Sequence, residues 1–184
     1  MIDDRFAPPS AEVADIRPAT TGTPPFFAVS PIKLAVLSVC TMGVYELYWF
    51  YRNWKLIRSR EETSILPFWR AFFAVLFCYP CLRRIREAGL ERGVSPALPA
   101  GWLASAWIVT TVAVKLPDPY WLVTLLAVVF LVPVQSHVDR LNSLAVPGHD
   151  RNARFSAWNW VAVVLGGLLV VLAIIGTFLP EPAP

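Results

Sequence analysis

Glu46 is the first residue of this sequence whose type and position suggest chemistry, because it is a lone carboxylate inside the aromatic stretch TMGVYELYWFYRNW. If a helix begins near Ile32, Glu46 lies about 21 Å along it at about 1.5 Å per residue. A carboxylate at such a depth in a membrane costs about 2.5 to 3.5 kcal/mol unless it is paired or protonated. Arg70, in the next apolar segment, is the natural partner. We predict an intramembrane Glu46–Arg70 pair, which either handles a proton or substrate or only fixes the packing of two helices. The alternative is that Glu46 lies close enough to the interface to be hydrated.

Two cysteines in the stretch CYPC, Cys78 and Cys81, form a second candidate. A Cys-x-x-Cys motif supports thiol–disulfide chemistry when a helix N-terminus stabilises the thiolate. Here the motif closes an apolar helix, and a free cysteine is also a common small buried residue. A redox role and a packing role both stay open. His137 and His149 lie in a distant loop without ligand spacing, so the sequence predicts no metal and no cofactor.

Motifs that would define an enzyme do not occur in the sequence. It contains no Gly-x-Gly-x-x-Gly, phosphate-binding loop, zinc-protease helix or nucleophile elbow. We therefore predict a protein that is not an enzyme. The leading hypothesis is a structural or accessory role, and the alternative is a small transporter or proton-coupled component that uses Glu46 and Arg70.

The composition indicates that these residues lie in a membrane protein. Of 184 residues, 56% are hydrophobic and 16% charged, and the mean hydropathy is +0.53, well above that of ordinary soluble domains. The net charge of +3 is small, and Lys and Arg lie in junctions between apolar runs, which argues against nucleic acid. The predicted partner is the lipid bilayer, with Arg83, Arg84 and Arg86 contacting anionic headgroups.

An all-α polytopic membrane protein is the fold class that the apolar runs predict. A helix needs about 20 residues to cross the hydrocarbon core. After an acidic, Pro-rich leader over residues 1–30, which we expect to be disordered, residues 31–184 form one helical membrane domain. Its five predicted segments are approximately 31–54, 65–82, 101–116, 120–135 and 156–179.

The distribution of Lys and Arg between loops predicts a cytoplasmic N-terminus. If all five segments span, the loop 52–64 lies outside with four positive residues. A rival arrangement avoids this: the second segment, interrupted by Arg70, Pro67 and Pro80, enters the membrane and returns or lies at its surface. Both basic loops are then cytoplasmic, four segments span and the N-terminus faces outward.

Two further features concern helix packing. After residue 135, the polar residues His137, Asp139 and Asn142 suggest a surface helix that leaves the membrane, without a geometry that defines a site. In the last segment, Ala162 and Gly166 have the small-xxx-small spacing that lets another helix approach closely. They predict packing within the chain or a homo- or hetero-oligomer.

The stretch around Glu46 also carries a family-like pattern. On a helix, Thr41, Tyr45 and Tyr48 share one face, with Glu46 and Asn53 on its flank. The pattern Thr-x-Gly-[Ile/Leu/Val]-Tyr-x-x-Tyr-Trp resembles the first transmembrane segment of a family of small bacterial membrane proteins known as a domain of unknown function. The matching residues are Thr41, Gly43, Val44, Tyr45, Tyr48 and Trp49. The resemblance implies a bacterial inner-membrane protein and implies no activity.

Overall fold

The chain folds into a bundle of helices. The computed structural model describes residues 22–179, and every regular element within that range is helical, which confirms the all-α class. Two 3-10 segments, Ala113–Lys115 and Tyr120–Leu126, lie between α5 and α6. The helices are α1 Pro31–Cys40, α2 Val44–Glu61, α3 Pro67–Phe72, α4 Ala74–Glu91, α5 Ala100–Val112, α6 Val128–Ala145 and α7 Ala157–Thr177.

The predicted first segment is two helices rather than one. α1 begins after Ser30, whose hydroxyl accepts a hydrogen bond from the Lys33 amide, and it ends at Cys40. Met42 and Gly43 then adopt left-handed backbone angles, with φ of 49° and 87°. Glycine adopts this conformation without the steric cost that a Cβ imposes. The continuous helix predicted over 31–54 is therefore wrong, because the chain turns at Met42 and Gly43.

The turn makes α1 and α2 a hairpin whose two ends lie together. A guanidinium nitrogen of Arg60, near the end of α2, donates to the carbonyl of Pro25, which precedes α1, at 3.4 Å. Residues 22–30 were predicted as part of a disordered leader, yet Phe26 and Val29 are completely buried. That prediction is wrong for residues 22–30, and its remainder, residues 1–21, lies outside the described residues.

The predicted second segment also differs from the structure. α3 and α4 are separated by a break at Phe73, and α4 continues to Glu91, well past the predicted end at residue 82. Pro80 lies within α4 without ending it. The side chain of Arg84 bonds to Glu61 at the end of α2, with its Nε 3.1 Å from each carboxylate oxygen. The C-terminal half of α4 thus comes back to the end of α2.

α5 and α6 form the hairpin that the sequence predicts, with different bounds. The Thr124 hydroxyl donates to the Thr111 carbonyl at 3.4 Å, which holds the two arms together near the turn. α6 then runs without interruption to Ala145. The predicted surface helix after residue 135 is therefore wrong: it is the second half of α6, and it is largely buried.

Aromatic side chains of α2 and α5 fill the centre of the bundle. Trp49, Phe50, Trp54 and Trp107 are all within 1% of complete burial. The Phe50 ring lies 4.9 Å from Trp107 and 5.0 Å from Trp49, in edge-to-face arrangements. Burial of such rings, together with their edge-to-face contacts, is the main stabilising contribution to a helical core.

α7 lies on the outside of the bundle against α1. Ser156 and Asn159 form a reciprocal capping box at its start. Gly166 packs so closely on α1 that a Cβ at this position would overlap the carbonyl of Cys40. Among its 21 residues only Val170 is buried. The sequence predicted a close helix contact at Gly166, and within the chain that contact is made by α1.

The charged residues gather at one end of the bundle, here called the basic end. A cavity of about 270 Å³ is lined there by Pro25, Arg60, Arg92 and Ala145, so the ends of α2, α4 and α6 meet beside the residues that precede α1. The start of α7 joins them, because Lys33 Nζ donates to the Arg154 carbonyl at 2.8 Å.

The opposite end holds the turn between α5 and α6 and the end of α7. There the Trp121 indole nitrogen donates to the Thr177 hydroxyl at 3.1 Å. Lys115 and Asp118, both exposed, lie in the same turn. The two ends therefore differ sharply in the number of basic residues.

Candidate functional site

The polar interior of the bundle centres on the short extended segment Phe26–Phe27, which lies between α2 and α6. Asn142 of α6 bonds to both backbone groups of Phe26: its Nδ2 donates to the Phe26 carbonyl at 3.0 Å, and its Oδ1 accepts from the Phe26 amide at 3.2 Å. One carboxamide thus replaces the neighbouring strand that an extended segment would otherwise need. Asn142 and Phe26 are both completely buried.

Phe27 is held in the same way by two other amides. Its backbone amide donates to Asn53 Oδ1 at 3.1 Å, and its carbonyl accepts from Gln135 Nε2 at 3.3 Å. All four backbone hydrogen-bonding groups of Phe26 and Phe27 therefore have side-chain partners. We call Asn53, Gln135 and Asn142 the amide clamp.

Neighbouring side chains fix the orientation of two clamp residues. Trp49 Nε1 donates to Gln135 Oε1 at 2.7 Å, while Gln135 Nε2 also donates to Asp139 Oδ1 at 3.0 Å. Asn53 Nδ2 donates to the Trp49 carbonyl one turn earlier, at 3.0 Å. Because buried amides are costly when unpaired, this bonding determines a single orientation for each one.

Helical spacing brings the clamp together. Gln135, Asp139 and Asn142 are four and three residues apart on α6, and Trp49 and Asn53 are four apart on α2. Residues at these separations lie on one face of a helix. From the sequence, Asn53 was expected on the flank of the face that carries Thr41, and Asp139 and Asn142 on a surface helix without a defined site; Gln135 was not singled out. The signal that could have identified the clamp is the regular polar spacing within an apolar helix.

Glu46 and Arg70 do not form the predicted pair in the described chain. Glu46 is 5% exposed, and its Oε2 accepts a hydrogen bond from the Trp107 indole nitrogen at 2.6 Å. The Arg70 guanidinium instead lies 4.5 Å from the Trp54 ring centre and 5.2 Å from that of Phe77. Glu46 thus joins α2 to α5 through a neutral donor, and Arg70 takes part in cation–π contacts.

The family-like residues have identifiable structural roles at the turn. The Thr41 hydroxyl donates to the Leu37 carbonyl at 2.7 Å and accepts from the Tyr45 amide at 2.9 Å, so it joins the end of α1 to the start of α2. Gly43 supplies the left-handed residue before α2. The Tyr48 ring packs edge-to-face on Phe27 at 5.7 Å. These positions build the α1–α2 hairpin and one wall around the clamped segment.

Of the three arginines predicted to contact headgroups, two are bonded within the chain. Arg83 Nε donates to Glu87 at 2.7 Å, and Arg84 bonds to Glu61 as described above. Arg86 is exposed. The headgroup prediction therefore applies most directly to Arg86.

The cysteines and histidines show no arrangement that would bind a metal. Cys78 and Cys81 are free and completely buried inside α4, one turn apart. Within residues 22–179, no group of three or more His, Cys, Asp or Glu side chains could hold a metal ion. Burial of both thiols favours their packing role. The amide clamp can bind a peptide backbone, but it contains no nucleophile or general base.

Comparison with known proteins gives no relative: no family model, no curated protein and no solved structure matches the chain. The resemblance of the Thr41–Trp49 pattern to a bacterial membrane family therefore remains a prediction.

Proposed function

We propose that the protein is an integral protein of the bacterial cytoplasmic membrane with a structural or accessory role and no enzymatic activity. The observation that carries the proposal is the amide clamp. Its three amides, Asn53, Gln135 and Asn142, are completely buried and are bonded to the protein's own backbone at Phe26 and Phe27. Such groups hold a fold together and are not available to a substrate.

Two helices support the membrane location. Tyr120–Ala145 and Ala157–Thr177, with 26 and 21 residues, are long and apolar enough to cross a bilayer. In the second of these helices, only 6% of the most apolar stretch is buried inside the protein. A charge-free helix that exposes nearly all of its side chains matches a lipid environment far better than water.

The basic end supports a specific topology. Cytoplasmic loops of membrane proteins are enriched in Lys and Arg, so the basic end would face the cytoplasm. In the proposed arrangement three helices cross the membrane: α5, the helix Tyr120–Ala145 that contains α6, and α7. The pairs α1–α2 and α3–α4 enter the membrane and return to the same side. Backbone groups freed at a helix break inside a membrane need partners within the protein, and the Thr41 side chain bonds to backbone groups on both sides of the α1–α2 turn.

Complementation of a deletion strain tests the structural role. The clamp variant Asn53→Ala and the variant Glu46→Gln are compared with wild type for membrane abundance, for thermal stability in detergent and for rescue of the deletion phenotype. We expect rescue to fall only where abundance and stability fall. A variant with wild-type abundance and stability that fails to rescue would contradict the structural role.

A proton-coupled role is the second candidate, favoured by one observation. Glu46 is a buried carboxylate whose hydrogen-bond partner is a neutral indole, so it has no bonded cation to hold it permanently ionised. Proton flux into liposomes that contain the protein, followed with an entrapped pH dye, tests this role. Flux that Glu46→Gln abolishes while stability is retained would support it, and absence of flux from wild type would rule it out.

A further inference from the structure

A second cavity, separate from the clamp, lies where the loop 62–66 meets α3 and α4. It has a volume of about 360 Å³ and combines two hydroxyl side chains, one guanidinium and an apolar wall. Its lining residues are Thr63, Ser64, Ile65, Leu66, Trp69, Arg70 and Phe77.

The cation of this cavity, Arg70, forms no ion pair within residues 22–179. The nearby carboxylate of Glu61 is already bonded to Arg84, at 3.1 Å, and lies 3.8 Å from Arg60. Glu62 is exposed at the end of α2. The guanidinium of Arg70 contacts aromatic faces, and these leave its N–H donors free to bind an anion.

A second polar group of the same cavity also lacks a partner. The Thr63 Oγ1 atom is enclosed by protein, and it forms no hydrogen bond with the described residues. Ser64, next in the chain, is exposed and lines the same cavity. Two hydroxyl donors and one guanidinium at a single cavity match the oxygens of a phosphate group.

An exposed aromatic face continues from the cavity along α3. Phe68, Trp69, Phe72 and Phe73 are between 46% and 60% exposed, and neighbouring ring centres are 5.1 to 6.3 Å apart. Trp69 belongs to both the cavity and this face. A contiguous apolar face of this kind marks an interaction surface, and acyl chains fit it.

We propose that this cavity binds the phosphate of an anionic phospholipid, whose acyl chains lie along the aromatic face of α3. The inference rests on the proposed membrane location. The site differs from the one predicted from sequence, because Arg83 and Arg84 are bonded to carboxylates whereas Arg70 is not. A soluble phosphate would use the same donors and would leave the aromatic face uncovered.

Native mass spectrometry of the full-length protein in a neutral detergent tests the site. Phosphatidylglycerol and phosphatidylcholine are added separately to wild type, Arg70→Gln, Thr63→Val and the control Arg58→Gln, which replaces an exposed arginine of α2 that does not line the cavity. We expect wild type to retain one phosphatidylglycerol about tenfold more strongly than phosphatidylcholine, and Arg70→Gln to lose about tenfold. Thr63→Val should lose less, and Arg58→Gln should behave as wild type.

Several results would overturn the proposal: equal retention of the two lipids, full retention by Arg70→Gln and Thr63→Val, or displacement by glycerol phosphate at the concentrations that bind. The last result would identify a soluble phosphate ligand. If Arg70→Gln unfolds, the site is tested by comparing phosphatidylglycerol retention by Thr63→Val with that by wild type. Resistance of the protein to alkaline extraction from membranes is measured in parallel. Extraction in soluble form would refute the membrane location, whereas failure of lipid binding in a resistant protein would refute the site alone.

Discussion

α2 and α7 are helices of similar length, 18 and 21 residues, with opposite relations to their surroundings. α2 carries charged and amide side chains, and it buries Glu46 and Asn53 in the centre of the bundle. α7 carries no charge along its length and buries only Val170. The polar helix is inside and the apolar helix is outside, the reverse of the usual arrangement in water.

The proposed membrane location accounts for this reversal. A lipid-facing helix needs no polar partner for its side chains, and α7 has almost none to satisfy. A polar side chain inside a membrane must instead be bonded within the protein. Asn53, Gln135 and Asn142 meet that requirement by bonding to the backbone of Phe26 and Phe27. Under the proposed location, the amide hydrogen bonds hold the α1–α2 hairpin in the bundle, and the apolar surface of α7 allows this helix to cross the bilayer.

Asn142→Ala should have the largest effect, because it removes the only partner that the structure provides for the two backbone groups of Phe26. We expect a loss of about 2 to 4 kcal/mol in the free energy of unfolding, since each unpaired buried group costs about 1 to 3 kcal/mol. Thermal or denaturant unfolding in detergent measures it. The control Leu144→Ala replaces a 60% exposed side chain of the same helix. Equal stability of the two variants would argue against the clamp.

Gly166→Ala tests the packing of the apolar helix α7 on α1. A Cβ at this position would overlap the Cys40 carbonyl, so α7 must move away from α1. We expect a loss of about 1 to 3 kcal/mol, as overpacking usually produces. Gly176→Ala is the matched control on the same helix, because no atom of the described chain lies near its added Cβ. If both substitutions leave stability unchanged, the α1–α7 contact is not as close as described.

Gly43→Ala should have a smaller effect at the α1–α2 turn. The residue has a φ of 87°, which L side chains rarely adopt, and a Cβ added to it would meet open space. The expected loss is about 1 kcal/mol and comes from backbone strain alone. Gly101→Ala, inside α5, serves as control because its added Cβ would make only an ordinary contact with Tyr79. A stabilising Gly43→Ala substitution would mean that the turn is not left-handed.

Arg83→Gln should have the smallest effect. The Arg83–Glu87 ion pair lies on an exposed face of α4, with side chains 61% and 49% accessible. Exposed pairs contribute little, so we expect no measurable change in melting temperature. Arg84→Gln removes a better enclosed pair with Glu61 and should lower stability by about 1 kcal/mol. A larger loss from Arg83→Gln than from Arg84→Gln would reverse this ranking.

The helical class and α7 could be predicted from the sequence because they depend on local composition. A long charge-free run such as 156–179 has few alternatives to a helix in a bilayer. The bounds of the other segments were less accurate. Pro80 was read as an interruption, yet α4 continues through it, and the break fell instead at Phe73. Whether a helix continues past such a residue depends on tertiary packing, which the local sequence does not show.

The contacts of the amide clamp with Phe26 and Phe27 could not be predicted, because the partners are far apart in the chain. Asn142 and Phe26 are separated by 116 residues, and nothing local marks Phe26 as a segment to be held. The prediction of a Glu46–Arg70 pair was wrong for a related reason. Charge complementarity suggested it, but the hairpin turn at Gly43 directs Glu46 towards Trp107 on α5. The turn itself was visible in the sequence only as a glycine within the family-like pattern.

Chemical labelling of single cysteines is the most direct test of the proposed topology, in which the α1–α2 hairpin returns to the same side of the membrane whereas α5 and α6 cross it. Ser64→Cys and Asp118→Cys are made in a background whose three native cysteines are alanine, and intact cells are treated with a membrane-impermeant thiol reagent. Ser64 follows the α1–α2 hairpin, and Asp118 lies in the turn of the α5–α6 hairpin. We expect labelling of Asp118→Cys from outside the cell and of Ser64→Cys only after the membrane is opened. Labelling of Ser64→Cys from outside would contradict it.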